Sequence, residues 1–212
     1  MSDSIEVKTT FKIIGYTKLG IGSLNMLLFP AGQVAEATES DLGFLSDIST
    51  GFSVLGMVTG TTLYIKKSID KHGLLKVLAY GLLAIGIGLW VLLFVLMKTD
   101  SVGKTLSLAK KAKKYLSPAC ESLYGGFIIA TMVEDHKNEL TASNIGDVLH
   151  YLPSAISYTP LQKSPYYAIV ILIRTGGLIT SSVAGFIEML ENGNEEQRKL
   201  AEDMKKKKKL PV

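Results

Sequence analysis

The chain has one cysteine, Cys120, so no internal disulfide can form and thiol usage reveals no redox compartment. Its three histidines, His72, His136 and His150, lie far apart and share no metal-ligand spacing, so neither a metal nor another cofactor is expected. Gly103-Lys104-Thr105 lacks the earlier glycine of a phosphate-binding loop, because position 98 is lysine. No nucleophile, base and orienting group occur together, so the chain is not expected to be an enzyme. Charge is also scarce: Asp, Glu, Lys and Arg make up 20% of the 212 residues. Its longest gap is residues 77–97, 21 positions without a charged side chain.

What fills that gap is apolar. As a helix at roughly 1.5 Å per residue, 77–97 covers about 30 Å, the thickness of a bilayer's hydrocarbon core. A helix in a soluble core keeps a polar stripe, and this one keeps none. Lys76 and Lys98 bracket it as headgroup-level anchors. With 47% hydrophobic residues and a mean hydropathy of +0.28, the expected fold is an all-α integral membrane protein. Its core is a small bundle of about 3–4 transmembrane helices joined by amphipathic and polar connectors.

Five regions follow from composition. Residues 1–50 hold a first apolar segment, 13–31, and an acidic linker with Glu36, Glu39, Asp41 and Asp47. The apolar segment reads either as a retained first helix or as a secretory signal with Ala35-Glu36-Ala37 at the cleavage site. Its long lead favours the retained helix. Residues 51–97 read as a helical hairpin around the basic loop 66–73. Gly56 and Gly60 share one helical face, a spacing that lets a neighbouring backbone approach closely. Gly81, Ala84 and Gly88 form a small-residue stripe on the next helix, and the two seams are expected to meet. Val58, Thr59, Thr61, Thr62 and Tyr64 also suit a strand.

Residues 98–165 are expected to form a connector. Lys98, Lys104, Lys110, Lys111, Lys113 and Lys114 are opposed only by Asp100, and a partial apolar face suits a helix lying on anionic lipid. The apolar run 120–133 is short for a crossing and suits a re-entrant or buried helix. The cluster 134–139 mixes carboxylates, His136 and Lys137 at adjacent positions that cannot converge on one ion, and reads as a solvated face. Ile145, Val148, Leu149, Leu152 and Ile156 have helical spacing, and Pro153, Pro160 and Pro165 mark an irregular, partly extended connector.

Residues 166–191 form the second long apolar stretch. Arg174, Ser181 and Glu188 are seven apart, and Gly177, Ser181 and Gly185 repeat every four, giving one small, polar side. An arginine in a bilayer costs roughly 2.5–3.5 kcal/mol on insertion scales, so it must face protein or water. Arg174 therefore fixes assembly through a buried ion pair, lines a polar pathway, or snorkels to an interface. In the tail, 192–212, Asn192-Gly193-Asn194 is expected to stop the helix. Beyond it Lys205, Lys206, Lys207, Lys208 and Lys209 read as a cytoplasmic contact to lipid headgroups in an inner or plasma membrane. No aromatics interleave with these lysines, so nucleic acid is not an expected partner.

With crossings at 13–31, 51–65, 77–97 and 166–190, the amino terminus, the 66–76 loop and the tail share one side. The 98–114 cluster then falls on the other, against the charge rule. Two functions are expected. One is a structural subunit of a secretion, conjugation or virion-like membrane complex, its partners being lipid and other membrane-protein subunits. It packs through the small-residue seams, and Arg174 has no obvious partner within the chain. The other is a small-solute channel or transporter with Arg174 lining the pathway.

Overall fold

The computed structural model describes residues 2–38, 42, 44–67, 73–98 and 111–207. Every regular element among them is helical: α1 (Ser2–Ala37), α2 (Phe44–Lys67), α3 (Leu74–Lys98), α4 (Ser117–Glu134), the single turn α5 (His136–Glu139), α6 (Ala142–Tyr151) and α7 (Tyr167–Lys207). A π turn, Ala112–Leu116, leads into α4, and two 3₁₀ segments, Leu152–Tyr158 and Pro160–Lys163, connect α6 to α7. The strand alternative for 51–65 fails, because α2 is helical throughout.

Among the described residues, four stretches are long and apolar enough to cross a membrane: Phe44–Lys67, Leu74–Phe94, Lys114–Glu134 and Tyr167–Gly193. The run 120–133, expected to be too short, reaches that length by borrowing the π turn and the first turn of α4. Pro118 sits in that first turn, where its missing N–H has no intrahelical partner to lose. Conversely, the segment 13–31 is not among the four. It lies within a 36-residue helix that runs on through Pro30.

Side-chain contacts set the helix directions. Gly32 of α1 meets Ser46 of α2, and Asn25 meets Ser49 and Ser53, so the two run antiparallel. Gly86 of α3 packs on Met57 and Val58, and the link from Lys67 to Leu74 is too short to run back along α2, so this pair is antiparallel too. Gly60 of α2 touches Tyr124 of α4 and Tyr64 reaches Glu134, which makes α4 parallel to α2. On α1, Gly22 meets Ser182 and Phe29 meets Arg174, so α7 is antiparallel to α1 and therefore parallel to α4.

Two successive crossings in one direction need a return, and α6 with its 3₁₀ extension supplies it. Thr141 caps α6 by accepting the Asn144 N–H at 3.1 Å. From there the chain descends past Gly56 at Tyr151, past Glu121 at Ser154, and reaches Tyr115 at Tyr158. At ~1.5 Å per α residue and ~2.0 Å per 3₁₀ residue this path covers about 29 Å. Pro153 and Pro160 thus mark ordered 3₁₀ turns, where an extended connector was expected.

Polarity is distributed inside out. On α6 the buried residues are Ser143, Gly146, Asp147, His150 and Tyr151, while Ile145 and Leu149 are exposed. On α7, Val170, Arg174, Leu178 and Ser182 are buried, and Leu172, Ile179, Val183 and Phe186 face outward. The apolar core lies between α2, α3 and α4, around Val54, Met57, Leu82, Leu89, Phe127 and Ile128.

Candidate functional site

Lone charged groups in apolar helices converge at the bundle's centre. Glu121 is the single charge in 120–133, and Arg174 is the single charge in the first half of α7. They meet at 2.5 Å between Arg174 Nη2 and Glu121 Oε2, with both residues buried. Ser154 and Ser117 donate to the same carboxylate at 2.6 and 3.1 Å. Arg174 Nε donates to the His150 carbonyl at 2.9 Å, and the guanidinium lies 4.5 Å over the Phe29 ring. An ion pair at this depth is tolerable because hydrogen bonds from Ser117 and Ser154 to the carboxylate, and from the guanidinium to the His150 carbonyl, surround it. The expectation that Arg174 lacks a partner within the chain is therefore corrected.

From this pair a polar chain crosses the bundle. His150, fully buried, places Nδ1 3.1 Å from the Arg174 carbonyl, which only accepts, so Nδ1 carries the proton. Nε2 is then an acceptor, and the Ser53 hydroxyl stands 3.3 Å away to donate to it. Ser53 in turn accepts from Asn25 Nδ2 at 3.0 Å, and Ser49 donates to Asn25 Oδ1 at 2.8 Å. Tyr151 donates to the Ser53 carbonyl at 3.1 Å. One assignment of protons satisfies the whole chain from α4 to α1. Among the described residues no buried side-chain nitrogen or oxygen lacks a hydrogen-bond partner.

Above this layer, toward the end of the bundle where Lys67 lies, a cavity of about 500 Å³ opens between α1, α2, α4, α6 and α7. Its wall carries a second ion pair, Lys18 Nζ to Asp147 Oδ2 at 2.6 Å, and Ser181 donates to the other oxygen of Asp147. The Lys18 side chain keeps 22% of its surface accessible against 5% for Asp147, so this pair can be reached from the cavity. Nearer the rim, Lys67 pairs with Glu139 at 2.5 Å. Tyr124 and Tyr151 line the inner wall, held close to α2 because Gly60 and Gly56 leave room for their hydroxyls.

The residues singled out in the sequence divide accordingly. Arg174, Ser181 and Glu188 do share an inward face, but only Ser181 and Glu188 line the cavity. Gly177 is packed so tightly that a Cβ would stand 2.6 Å from the Gly146 carbonyl oxygen and the His150 nitrogen. Gly185 makes ordinary contact with Ser143 and Leu19. Gly56 and Gly60 face Tyr151 and Tyr124, not α3. The proposed meeting of seams is overturned: Gly81 and Gly88 have nothing within 4 Å of a built Cβ, and Ala84 is exposed too. The buried face of α3 is Ala79, Leu82, Gly86, Leu89 and Leu93. A bulky apolar ridge packs there, and the small stripe points away from the chain.

Among the lysines, Lys111 and Lys114 are exposed, Lys113 lies in the π turn, and Lys110 falls outside the described residues. Helix α7 runs unbroken through Asn192-Gly193-Asn194 to Lys207, so the expected stop does not occur. Lys205, Lys206 and Lys207 belong to that helix, while Lys208 and Lys209 fall outside the described residues. Glu134 and Glu139 of the mixed cluster reach back to Tyr64 and Lys67 of α2. No group of histidine, cysteine or carboxylate side chains placed to hold a metal occurs among the described residues.

Lys18, Asn25, Ser53, Glu121, Asp147 and His150 join the site although none of them stands among the candidates that sequence spacing singles out. Lys18 and Glu121 were findable as single charges in otherwise apolar segments. Ser46, Ser49 and Ser53 recur at helical spacing on the face of α2 toward α1, where Ser49 and Ser53 meet Asn25, and that spacing is visible in the sequence. Among the described residues, fold and site together define a helical bundle with four helices long and apolar enough to cross a membrane, a buried polar layer and a charged cavity. Comparison with protein-family models, curated proteins and solved structures finds no match to this chain.

Proposed function

We propose that this chain is an integral membrane protein that takes a small polar solute into the cavity between α1, α2, α4, α6 and α7, as a channel or transporter subunit. The observation that carries the reading is the reachable Lys18–Asp147 pair on the wall of a cavity of about 500 Å³ inside a bundle with an apolar exterior. The size falls within the range of small-molecule sites. Support also comes from the broken return through α6 and the 3₁₀ turns. Irregular backbone at membrane depth is tolerated where it is buried in protein or lines a cavity, and solute sites of transporters are built from such broken crossings. Lys18 and Asp147 take the pathway role first considered for Arg174, which belongs to the layer closing the cavity.

The test is flux. Liposomes holding the purified protein should pass small polar solutes faster than empty liposomes, and Asp147→Asn should remove the difference. Equal leakage in both would sink the reading.

A second reading, a subunit packed against other membrane proteins, rests on the outward stripe Gly81, Ala84 and Gly88, which no part of the described chain covers. Its former support from Arg174 is gone, since Glu121 answers that charge. Gly88→Leu should shrink the detergent-solubilised particle if this stripe is an interface, and leave its size unchanged if lipid covers it.

A further inference from the structure

The solute reading leaves the ligand's charge open, and the cavity wall constrains it. Among the described residues, three lysines (Lys12, Lys18, Lys67) and three carboxylates (Glu139, Asp147, Glu188) line the space, a set whose charges sum to zero. The innermost of the pairs is Lys18 with Asp147. Asp147 is short, buried and fixed by Ser181, whereas Lys18 is reachable and has four rotatable bonds.

From this geometry we infer that the cavity binds a compact zwitterion, an amino acid or a close analogue, inserted into the Lys18–Asp147 pair. The ammonium of the ligand replaces Lys18 at the Asp147 carboxylate, and its carboxylate follows the displaced Lys18 ammonium. The argument is one of charge conservation at a desolvated site. A lone anion drawing Lys18 away would leave Asp147 without a counter-charge in its buried position, and a lone cation at Asp147 would force Lys18 from that buried partner toward the half-buried Glu188 on the same wall. Either outcome gives up a short, desolvated contact that the bundle already supplies, which is unfavourable. A ligand with both charges leaves none unpaired. Phe127, Ile128 and Leu178 line the same cavity and give it an apolar part for an aliphatic side chain.

This inference rests on the cavity being a solute site, and the experiment separates the two. The full-length protein in detergent or nanodiscs is titrated by calorimetry and thermal shift with L-alanine and L-leucine. Acetate, ethylammonium and glycerol serve as matched single-charge and neutral probes. The expected result is saturable binding of the zwitterions, with acetate, ethylammonium and glycerol each weaker by more than about 30-fold, the scale of losing one partner of a buried charge pair. Lys18→Gln should lose zwitterion binding to the same extent. Should that variant not fold, Lys18→Met/Asp147→Leu removes both charges together and keeps an apolar contact; it should fold and fail to bind. Binding of acetate or ethylammonium as tight as that of the amino acids would overturn the zwitterion and leave a solute site standing. Binding of none of the probes, with liposome flux still present, would also overturn it while sparing the solute reading. No binding and no flux would remove both. Zwitterion binding undiminished in the double variant would move the site away from Lys18 and Asp147.

Discussion

At the scale of single residues, the centre of the molecule is a charge pair whose partners stand 53 positions apart and are joined by three further hydrogen-bonding neighbours. Removing one member of such a pair strands the other. Glu121→Gln should therefore destabilise the protein by about 3–5 kcal/mol, read as a lowered denaturation midpoint in mixed micelles. Glu121→Leu/Arg174→Met should recover much of that loss, because an apolar contact replaces two desolvated charges at once. If Glu121→Gln were as stable as the wild type, Arg174 would have its counter-charge elsewhere. Asn25→Leu makes a parallel case. It takes the acceptor from Ser49 and the donor from Ser53, both buried, and a loss of roughly 1–3 kcal/mol is expected from the hydrogen bonds left unmade. The sequence pointed toward these groups without pairing them. A lone charge in an apolar segment must find a partner, but which segment supplies it depends on helix neighbours that local pattern does not encode.

At the scale of elements, spacing correctly described the periods of α3, α6 and α7 yet did not say which face points inward. In 141–156 the apolar positions do repeat with helical spacing, but Ile145, Leu149 and Leu152 face out and the polar positions face in. In water the apolar face of a helix turns to the core. A bundle with an apolar exterior reverses the choice wherever a polar layer needs burial, and the period alone is the same in both cases. The glycines sharpen the point. Spacing put Gly81 and Gly177 on equal footing as packing residues, and only Gly177 touches another backbone. Gly177→Ala and Gly146→Ala should each cost on the order of 3 kcal/mol, since the added methyl meets main-chain atoms that cannot rotate aside. Gly176→Ala and Gly81→Ala meet nothing within 4 Å and should be neutral or stabilising by up to about 1 kcal/mol through helix propensity. A thermal-unfolding series of the four variants checks the division. Equal effects across all four would mean that the α6–α7 contact is looser than these distances imply.

At the scale of the whole molecule, the open question for the sequence was how many times the chain crosses and where the 98–114 cluster lies. Contacts supply the missing direction. Because α4 and α7 are parallel, the run 120–133 and the return through α6 form a pair of traverses that cancel. The tail therefore stays at the end of the bundle shared by Lys67 and Glu139, and the π turn carrying Lys113 lies at the opposite end beside Tyr158. The disagreement with the charge rule persists, so lysine counting is a poor guide to this chain. Cys120 cannot report on topology as the native thiol, because it is buried in the apolar core. In a Cys120→Ala background, single cysteines at the exposed positions Lys137, Lys163 and Glu191 decide the matter. With the return through α6, Lys137→Cys and Glu191→Cys should react with a membrane-impermeant maleimide from one side, and Lys163→Cys only from the other. A layout of four crossings without the return instead groups Lys163→Cys with Lys137→Cys and sets Glu191→Cys apart. The second pattern would also remove the broken traverse on which the solute reading partly rests, since α6 would then lie along the membrane surface instead of lining a cavity within it.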